Sequence, residues 1–228
     1  MNILVIGDSC EDIFIYGDCN RLAPAAPVPV FVEKYRKSNK GMAGNVFENV
    51  VSLGETCAFI TNKAEITKTR YVEKKTNHML VRVDSSEEKI DRIKDIDLKE
   101  LQKYDAIIIS DYNKGFLLEE DIQFIADNHN LVFLDTKKLL GDWAKSVNFI
   151  KINEQEYNIT KHLLTNTEDW MVEKLIVTVG SGGCIYDGHI YPVEKVEIKD
   201  LTGAGDSFLA ALVYKFVKEK NIISAIKF

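Results

Sequence analysis

The chain has 228 residues, 46% hydrophobic and 28% charged, with a formal net charge of −6. That length allows one large domain or two small ones with a core needing no staple, and the composition excludes a disordered tail, a collagen repeat and a disulfide scaffold. The mild acidity argues against nucleic-acid or anionic-membrane partners, while small anionic ligands stay open.

The amino terminus, Met1 to Asp8, carries an apolar run, Ile3 to Ile6, that predicts a strand and is too short and too little basic for a secretory leader. Ile13 to Lys34 holds Pro24, Pro27 and Pro29 among short β-prone pieces. Ala43 to Leu53 has Val46, Val50 and Leu53 on one side and predicts a helix. Cys57 to Ile60 predicts a strand, and Thr69 to Val83 a hairpin turning at Lys74 to Asn77. Ser85 to Asp97 reads as a solvated, charged connector. Beyond it, apolar runs at Ala106 to Ile109, Leu131 to Leu134, Phe149 to Ile152 and Leu175 to Val179 alternate with helix-compatible stretches, including Leu117 to Ala126 and Asp206 to Val217. Runs of this kind are buried on both faces, so the fold expected is α/β: a doubly wound, mostly parallel sheet flanked by helices. The segments at about 13–35 and 68–84 interrupt the alternation and read as a small β-sheet lid on a single domain spanning 1–228.

Cys10, Cys19, Cys57 and Cys184 form no C-x-x-C pair, so neither zinc nor a dithiol site is suggested. Separate thiols and the absence of a spanning apolar stretch make a cytoplasmic location the expectation. His78, His129, His162 and His189 show no ligand spacing and read as surface or turn residues. Trp143 and Trp170 read as core or helix-end fillers.

The strongest local signal is Asp200-Leu-Thr-Gly-Ala-Gly-Asp206-Ser, followed by an apolar helix. Gly203 and Gly205 permit a tight turn whose N–H groups, with the helix N-terminus, form an anion cradle. Asp206 fits two roles: a plain N-cap, or the base that takes a proton from a hydroxyl attacking a γ-phosphate. There is no Gly-x-x-x-x-Gly-Lys-Ser/Thr, and no Gly-x-Gly-x-x-Gly after the first strand.

This element resembles the C-terminal signature of the ribokinase-like (PfkB) carbohydrate kinases, and within them the heptose-phosphate kinase group (the RfaE/HldE kinase domain). Further elements carry the likeness in order: Gly7-Asp8 through Asp18, Arg21-Leu-Ala-Pro24-Ala-Ala-Pro27-Val-Pro29-Val30, Gly41-Met-Ala-Gly-Asn45-Val, Lys68 through Asp84, and Ser110-Asp111-Tyr112-Asn113-Lys114-Gly115. The resemblance implies an ATP-dependent kinase acting on the anomeric hydroxyl of D-glycero-D-manno-heptose 7-phosphate or a similar phosphosugar. It makes Asp206 the base, with Gly203, Ala204 and Gly205 as its anion hole, and gives Asp12 and Asn45 sugar hydroxyls. Arg70, Asp111 and Lys114 fall to the substrate side, where cations suit a sugar phosphate. Lys137, Asn153, Glu156, Thr178, Gly180 and Gly183 fall to the nucleotide side, with Glu156 supporting Mg2+ indirectly. Asp200 and Thr202 match positions that bind a monovalent cation such as K+ in many relatives. Exposed lid edges invite pairing, so a homodimer through the lid is expected.

The chain departs from the pattern in three places. Met42 stands where the family has a second glycine; almost nothing separates Asn62 from Lys68, where relatives carry a loop, a helix and a strand; and the sequence ends at Phe228, so the fold reads as shortened at its C-terminus, on the side of the adenine pocket. These departures keep three alternatives in view: a degenerate or truncated sugar-phosphate-binding or assembly subunit without kinase activity, a fragment of a longer or fused kinase, and a PfkB kinase for another sugar.

Overall fold

Ile3, Leu4, Val5 and Ile6 are each at most 1% exposed, which requires cover on both faces of their sheet. The computed structural model, which describes residues 1–85, 90–94, 96–163, 169–193 and 203–228, supplies it. Strands β1 (Asn2–Gly7), β6 (Thr56–Thr61), β9 (Ala106–Asp111), β10 (Val132–Thr136), β11 (Phe149–Asn153), β12 (Leu175–Thr178), β13 (Cys184–Tyr186) and β14 (His189–Tyr191) form one eight-stranded sheet. The order is β14-β13-β12-β11-β10-β9-β1-β6, parallel from β12 to β6 and antiparallel from β12 to β14. The six strands expected from apolar runs are all present; the short hairpin β13–β14 lacks such a run.

Alternation along the strands divides the core. Ile3, Val5, Ala106, Ile108 and Phe133 pack with Val46 and Val50 of α1 (Ala43–Ser52) and with Leu209, Leu212 and Val213 of α6 (Ala204–Glu219). Leu4, Ile6, Ile107, Ile109 and Leu134 face the other way, toward Ile122 and Ile125 of α3 (Glu119–Asp127). Each such side chain contributes about 1.5–3 kcal/mol on burial. The connector after Ser85 is not simply solvated: Ile90 is 5% exposed, and Ile93 and Ile96 pack on the core. His129 is likewise interior, accepting the Leu131 N–H at Nδ1 (3.2 Å) and facing the Tyr104 carbonyl with Nε2 (3.1 Å).

A second sheet stands beside the first, in the order β5-β2-β7-β8, from β2 (Ser9–Asp18), β5 (Val32–Met42), β7 (Thr67–Glu73) and β8 (Met79–Asp84). The expected lid boundary at 35 is therefore too short. Strand β5 is exposed along almost its whole length, and its lysines and Arg36 leave no apolar alternation to read. Leu22–Ala23 and Ala26–Pro29 (β3 and β4) form a separate small ribbon. Residues 62–66 alone join β6 to β7.

The lid meets the body at Met42, where β5 passes directly into α1. Its backbone lies at φ 59°, ψ −135°, and its side chain is 3% exposed. A side chain in that region strains the backbone by about 1–3 kcal/mol, which explains why a glycine suits the position. Elsewhere glycine is usually about 0.5–1 kcal/mol worse than alanine. We therefore predict that Met42→Gly is more stable than Met42→Ala by about 1 kcal/mol in urea unfolding, since relief of the strain outweighs the buried methyl that alanine keeps. The ordinary order, alanine above glycine, would contradict this account of Met42.

Candidate functional site

The parallel strands end together. Gly7, Asp111, Thr136, Asn153 and Thr178 are the last residues of β1, β9, β10, β11 and β12. In open α/β sheets ligands bind outside these carboxyl ends, and the N-terminus of α6 comes to the same side, since Gly205 abuts Lys151 of β11 and Asp206 bonds to Tyr112 after β9.

Asp206 is 5% exposed and is not the N-cap of its helix. That position belongs to Gly203, at φ 80°, and among the described residues no side chain caps the turn. The Asp206 oxygens face other elements. Oδ2 accepts from Asn45 Nδ2 at 2.9 Å and Oδ1 from the Tyr112 hydroxyl at 2.8 Å. Burial pushes this carboxyl above the usual carboxylate range and Asp135 adds to the rise, while the two donors and the Lys151 ammonium hold it back.

Close approach explains the two glycines. A Cβ on Gly203 would stand 2.5 Å from Asn45 Nδ2, and one on Gly205 2.7 Å from Lys151 Nζ. The first-turn N–H groups, those of Ala204 to Asp206 among them, have no partner within the helix, and the dipole adds partial positive charge. Lys151 lies beneath this turn and pairs with Asp135 at 2.7 Å, the two side chains being 6% and 5% exposed. Asp135 Oδ1 is buried and has no hydrogen-bond partner among the described residues.

Toward the residues expected on the nucleotide side, the Tyr112 ring lies 5.4 Å from Lys137 Nζ, and Lys137 pairs with Glu156 Oε1. Burial disfavours the Lys137 ammonium, but Asp135, Glu156 and Asp206 outweigh it and raise its pKa. Glu156 Oε2 accepts the Asn153 N–H (2.8 Å), and Asn153 Oδ1 accepts the Glu156 N–H (2.9 Å). This is a reciprocal cap on α4 (Glu154–Leu163). Thr178 sits opposite Asn153 in the ladder and donates to the Ile152 carbonyl at 3.3 Å. Gly180 opens the turn at φ 58°; at Gly183 a Cβ would stand 2.0 Å from the Tyr191 carbonyl oxygen, so β14 itself requires that glycine.

On the lid side, Asp12 Oδ1 and Arg70 Nη1 pair at 2.5 Å, and the guanidinium lies 5.0 Å from the Phe14 ring. Lys68 Nζ lies 5.7 Å from the Tyr112 ring, facing the body from the lid. Asp111 departs from its expected place among substrate contacts. It is 1% exposed, and its oxygens accept from Thr136 Oγ1 (2.6 Å), Lys138 Nζ (2.8 Å) and the Asn113 N–H (3.1 Å), inside the fold. Lys114 belongs to the turn that follows, which the fully buried Asp8 carboxylate anchors by accepting the N–H groups of Tyr112 (2.7 Å) and Phe116 (3.3 Å). Asp200 and Thr202 lie outside the described residues. No role was legible for Tyr112, Asp135, Lys151 or Asp8, because they stand at or within the ends of strands far apart in sequence. Only their convergence marks them.

The profile described as "pfkB family carbohydrate kinase" matches residues 59–228. The bifunctional protein HldE of a Nitratiruptor species is 30% identical over 277 positions, covering 99% of this chain and 59% of its own length. That of Helicobacter pylori is 28% identical, covering 99% and 60%. The chain thus spans about 59% of the length of these curated relatives, and the 277 aligned positions exceed its 228 residues, so the relatives carry residues within the match that it lacks. Among solved structures, ribokinase from Thermotoga maritima superposes with a TM-score of 0.72 at 19% identity, covering 98% of this chain and 88% of that one. Arabidopsis thaliana ribokinase complexed with ribose and ATP gives 0.64 at 13% identity, with the same coverage.

The buried pair beneath the turn makes a direct prediction. Lys151→Met leaves Asp135 without its cation, and unfolding at pH 7 should show a loss of about 3–5 kcal/mol, the cost of an uncompensated buried charge. A loss below about 1 kcal/mol, the worth of an exposed pair, would contradict a buried ion pair at this place.

Proposed function

The chain belongs to the pfkB family of carbohydrate kinases, phosphotransferases that act on sugars, and from that premise we propose that it transfers the γ-phosphoryl group of ATP to the anomeric hydroxyl of a phosphosugar, D-glycero-D-manno-heptose 7-phosphate or a close analogue. The observation that carries this reading is Asp206: a buried carboxylate held by donors from two elements, in the first turn of a helix whose N–H groups face outward. The HldE relatives support the heptose class, and the ribose and ATP bound by the Arabidopsis neighbour support the pairing of a sugar with a nucleotide.

In this reading Asp206 accepts the hydroxyl proton as the sugar oxygen attacks phosphorus. Burial makes it a stronger base than an exposed carboxylate. The amides of Gly203 to Asp206, reinforced by Lys151 below them, stabilise the charge on the transferring group. Asp12 and Asn45 contact sugar hydroxyls, and Arg70 and Lys114 the sugar's own phosphate, to which Arg70 can offer the guanidinium edge not turned toward Asp12. Lys137, Thr178 and the turn from Gly180 to Gly183 contact the nucleotide.

Magnesium fits this side as a hard cation that keeps its waters. Glu156 offers one partly exposed carboxylate, and among the described residues no group of three or more His, Cys, Asp or Glu is arranged as a cage. When bound, it neutralises phosphate charge. Asp200 and Thr202 are proposed for a monovalent cation. The lid sheet closes over the sugar and limits hydrolysis of ATP by water. The whole chain, 1–228, acts as one domain with that lid, and its location is proposed as cytoplasmic. Among the described residues no helix is long and apolar enough to cross a membrane.

Asp206→Asn should keep the fold and lower turnover by about 10²–10⁴-fold, the usual worth of a general base. Its stability at pH 7 should not fall below that of the parent. A carboxyl raised in the folded state contributes stability below its unfolded value of about 3.9, and that contribution is lost as the pH rises through the folded value. Turnover near that of the parent would reject Asp206 as base.

We propose in addition a homodimer through the lid. The edge strand β8 is exposed throughout, with Met79, Val81 and Val83 at 56%, 50% and 51% exposure. Sedimentation at micromolar concentration should show a dimer that Val81→Lys dissociates; a monomer at those concentrations would contradict it.

A further inference from the structure

We propose that Tyr112 is a positioning residue for Asp206: its hydroxyl fixes the Oδ1 edge of the carboxylate, while its ring ties that bond to Lys68 of the lid and Lys137 of the body. The inference rests on Asp206 acting as the base. No motif assigned the tyrosine a role; the geometry does.

The placement begins in the backbone. Asp111, one residue earlier, is locked by Lys138 and Thr136, and the Tyr112 N–H donates to Asp8 Oδ2 at 2.7 Å. Asp8 also accepts the Phe116 N–H, so one buried carboxylate clamps both ends of the turn. With its main chain held this way, the side chain reaches Asp206 Oδ1 at 2.8 Å. Burial and the neighbouring Asp206 carboxylate push the phenol far above its ordinary range, so it keeps its proton and acts only as a donor.

Asp206 is faced by Asn45 from α1, Tyr112 from the turn after β9, Asp135 from β10, Lys151 from β11 and, at longer range, Lys137. Among the described residues only Asn45 and Tyr112 donate to it directly, one to each oxygen. Without the phenol, Oδ1 has no donor among these groups, the carboxyl is free to turn about its last bond, and the opposing charge of Asp135 is less well balanced. A base displaced by a fraction of an ångström loses its line to the attacking hydroxyl. Meanwhile the ring contacts cations of two bodies, Lys68 at 5.7 Å and Lys137 at 5.4 Å, so the group that holds the base also touches the lid.

Tyr112→Phe tests the hydroxyl alone, because it leaves the ring, the cation contacts and the backbone clamp in place. With ATP, magnesium and heptose phosphate, kcat should fall about ten-fold or more and KM should change by less than about three-fold either way, with the acidic limb of kcat/KM moving to higher pH. A second readout needs no turnover: carbon-13 NMR titration of the aspartate carboxyls in the full chain, with Asp206→Asn identifying the resonance. Its midpoint should rise in Tyr112→Phe and fall when 3-fluorotyrosine, a stronger donor, is placed at position 112. Midpoints that do not move in either variant would overturn the inference. An inactive Asp206→Asn with unmoved midpoints would reject only the role of Tyr112, whereas an active Asp206→Asn would reject the base itself.

Discussion

Ionising a carboxyl group that is 5% exposed costs several kcal/mol unless donors surround it, and the site is arranged around that cost at Asp206. Asn45 reaches it from α1, Tyr112 from the turn after β9, and Lys151 approaches from β11 beneath the helix turn. Each of these elements is fixed by the same two-faced sheet. Where the strands end, the backbone must turn outward, and polar side chains at those ends meet the first turn of α6. A charge that is expensive to hold is also a strong base, so the strain in the arrangement and its proposed chemistry have one origin.

The second sheet meets that center through Lys68 at the Tyr112 ring. The Asp12–Arg70 pair lies within the lid, while Lys68 faces across to Tyr112, so the lid carries polar groups to the body rather than an apolar plug. Its one direct covalent step into a helix of the body passes through Met42, in a conformation that glycine adopts more cheaply. Another of its connections, residues 62–66 between β6 and β7, is only five residues long.

Much of this was legible in the sequence. Continuous apolar runs announced the six parallel-type strands, the interior ones because burial on both faces leaves no room for polar alternation; edge strand β6 carries such a run although none of its residues is fully buried. The Gly-Ala-Gly-Asp element announced the turn because close approach to Asn45 and Lys151 excludes a Cβ at Gly203 and Gly205. Other features were hidden for equally physical reasons. Strand β5 is solvated on both faces and carries no periodic signal. Asp111 looks like a ligand residue in its motif, yet its partner Lys138 comes from after another strand. The Asn153–Glu156 pair, expected on the nucleotide side from the resemblance alone, also forms a reciprocal helix cap that this expectation did not include. Tyr112, Asp135 and Lys151 acquire meaning only from packing, because strands distant in sequence bring them to one point.

The account stands on phosphoryl transfer to a sugar oxygen at this center. The most direct measurement is phosphorus-31 NMR of the full chain incubated with ATP, magnesium and D-glycero-D-manno-heptose 7-phosphate. The account predicts a new phosphate ester on the anomeric oxygen, formed in step with ADP. ATP left intact, or ADP accompanied only by inorganic phosphate, would contradict it.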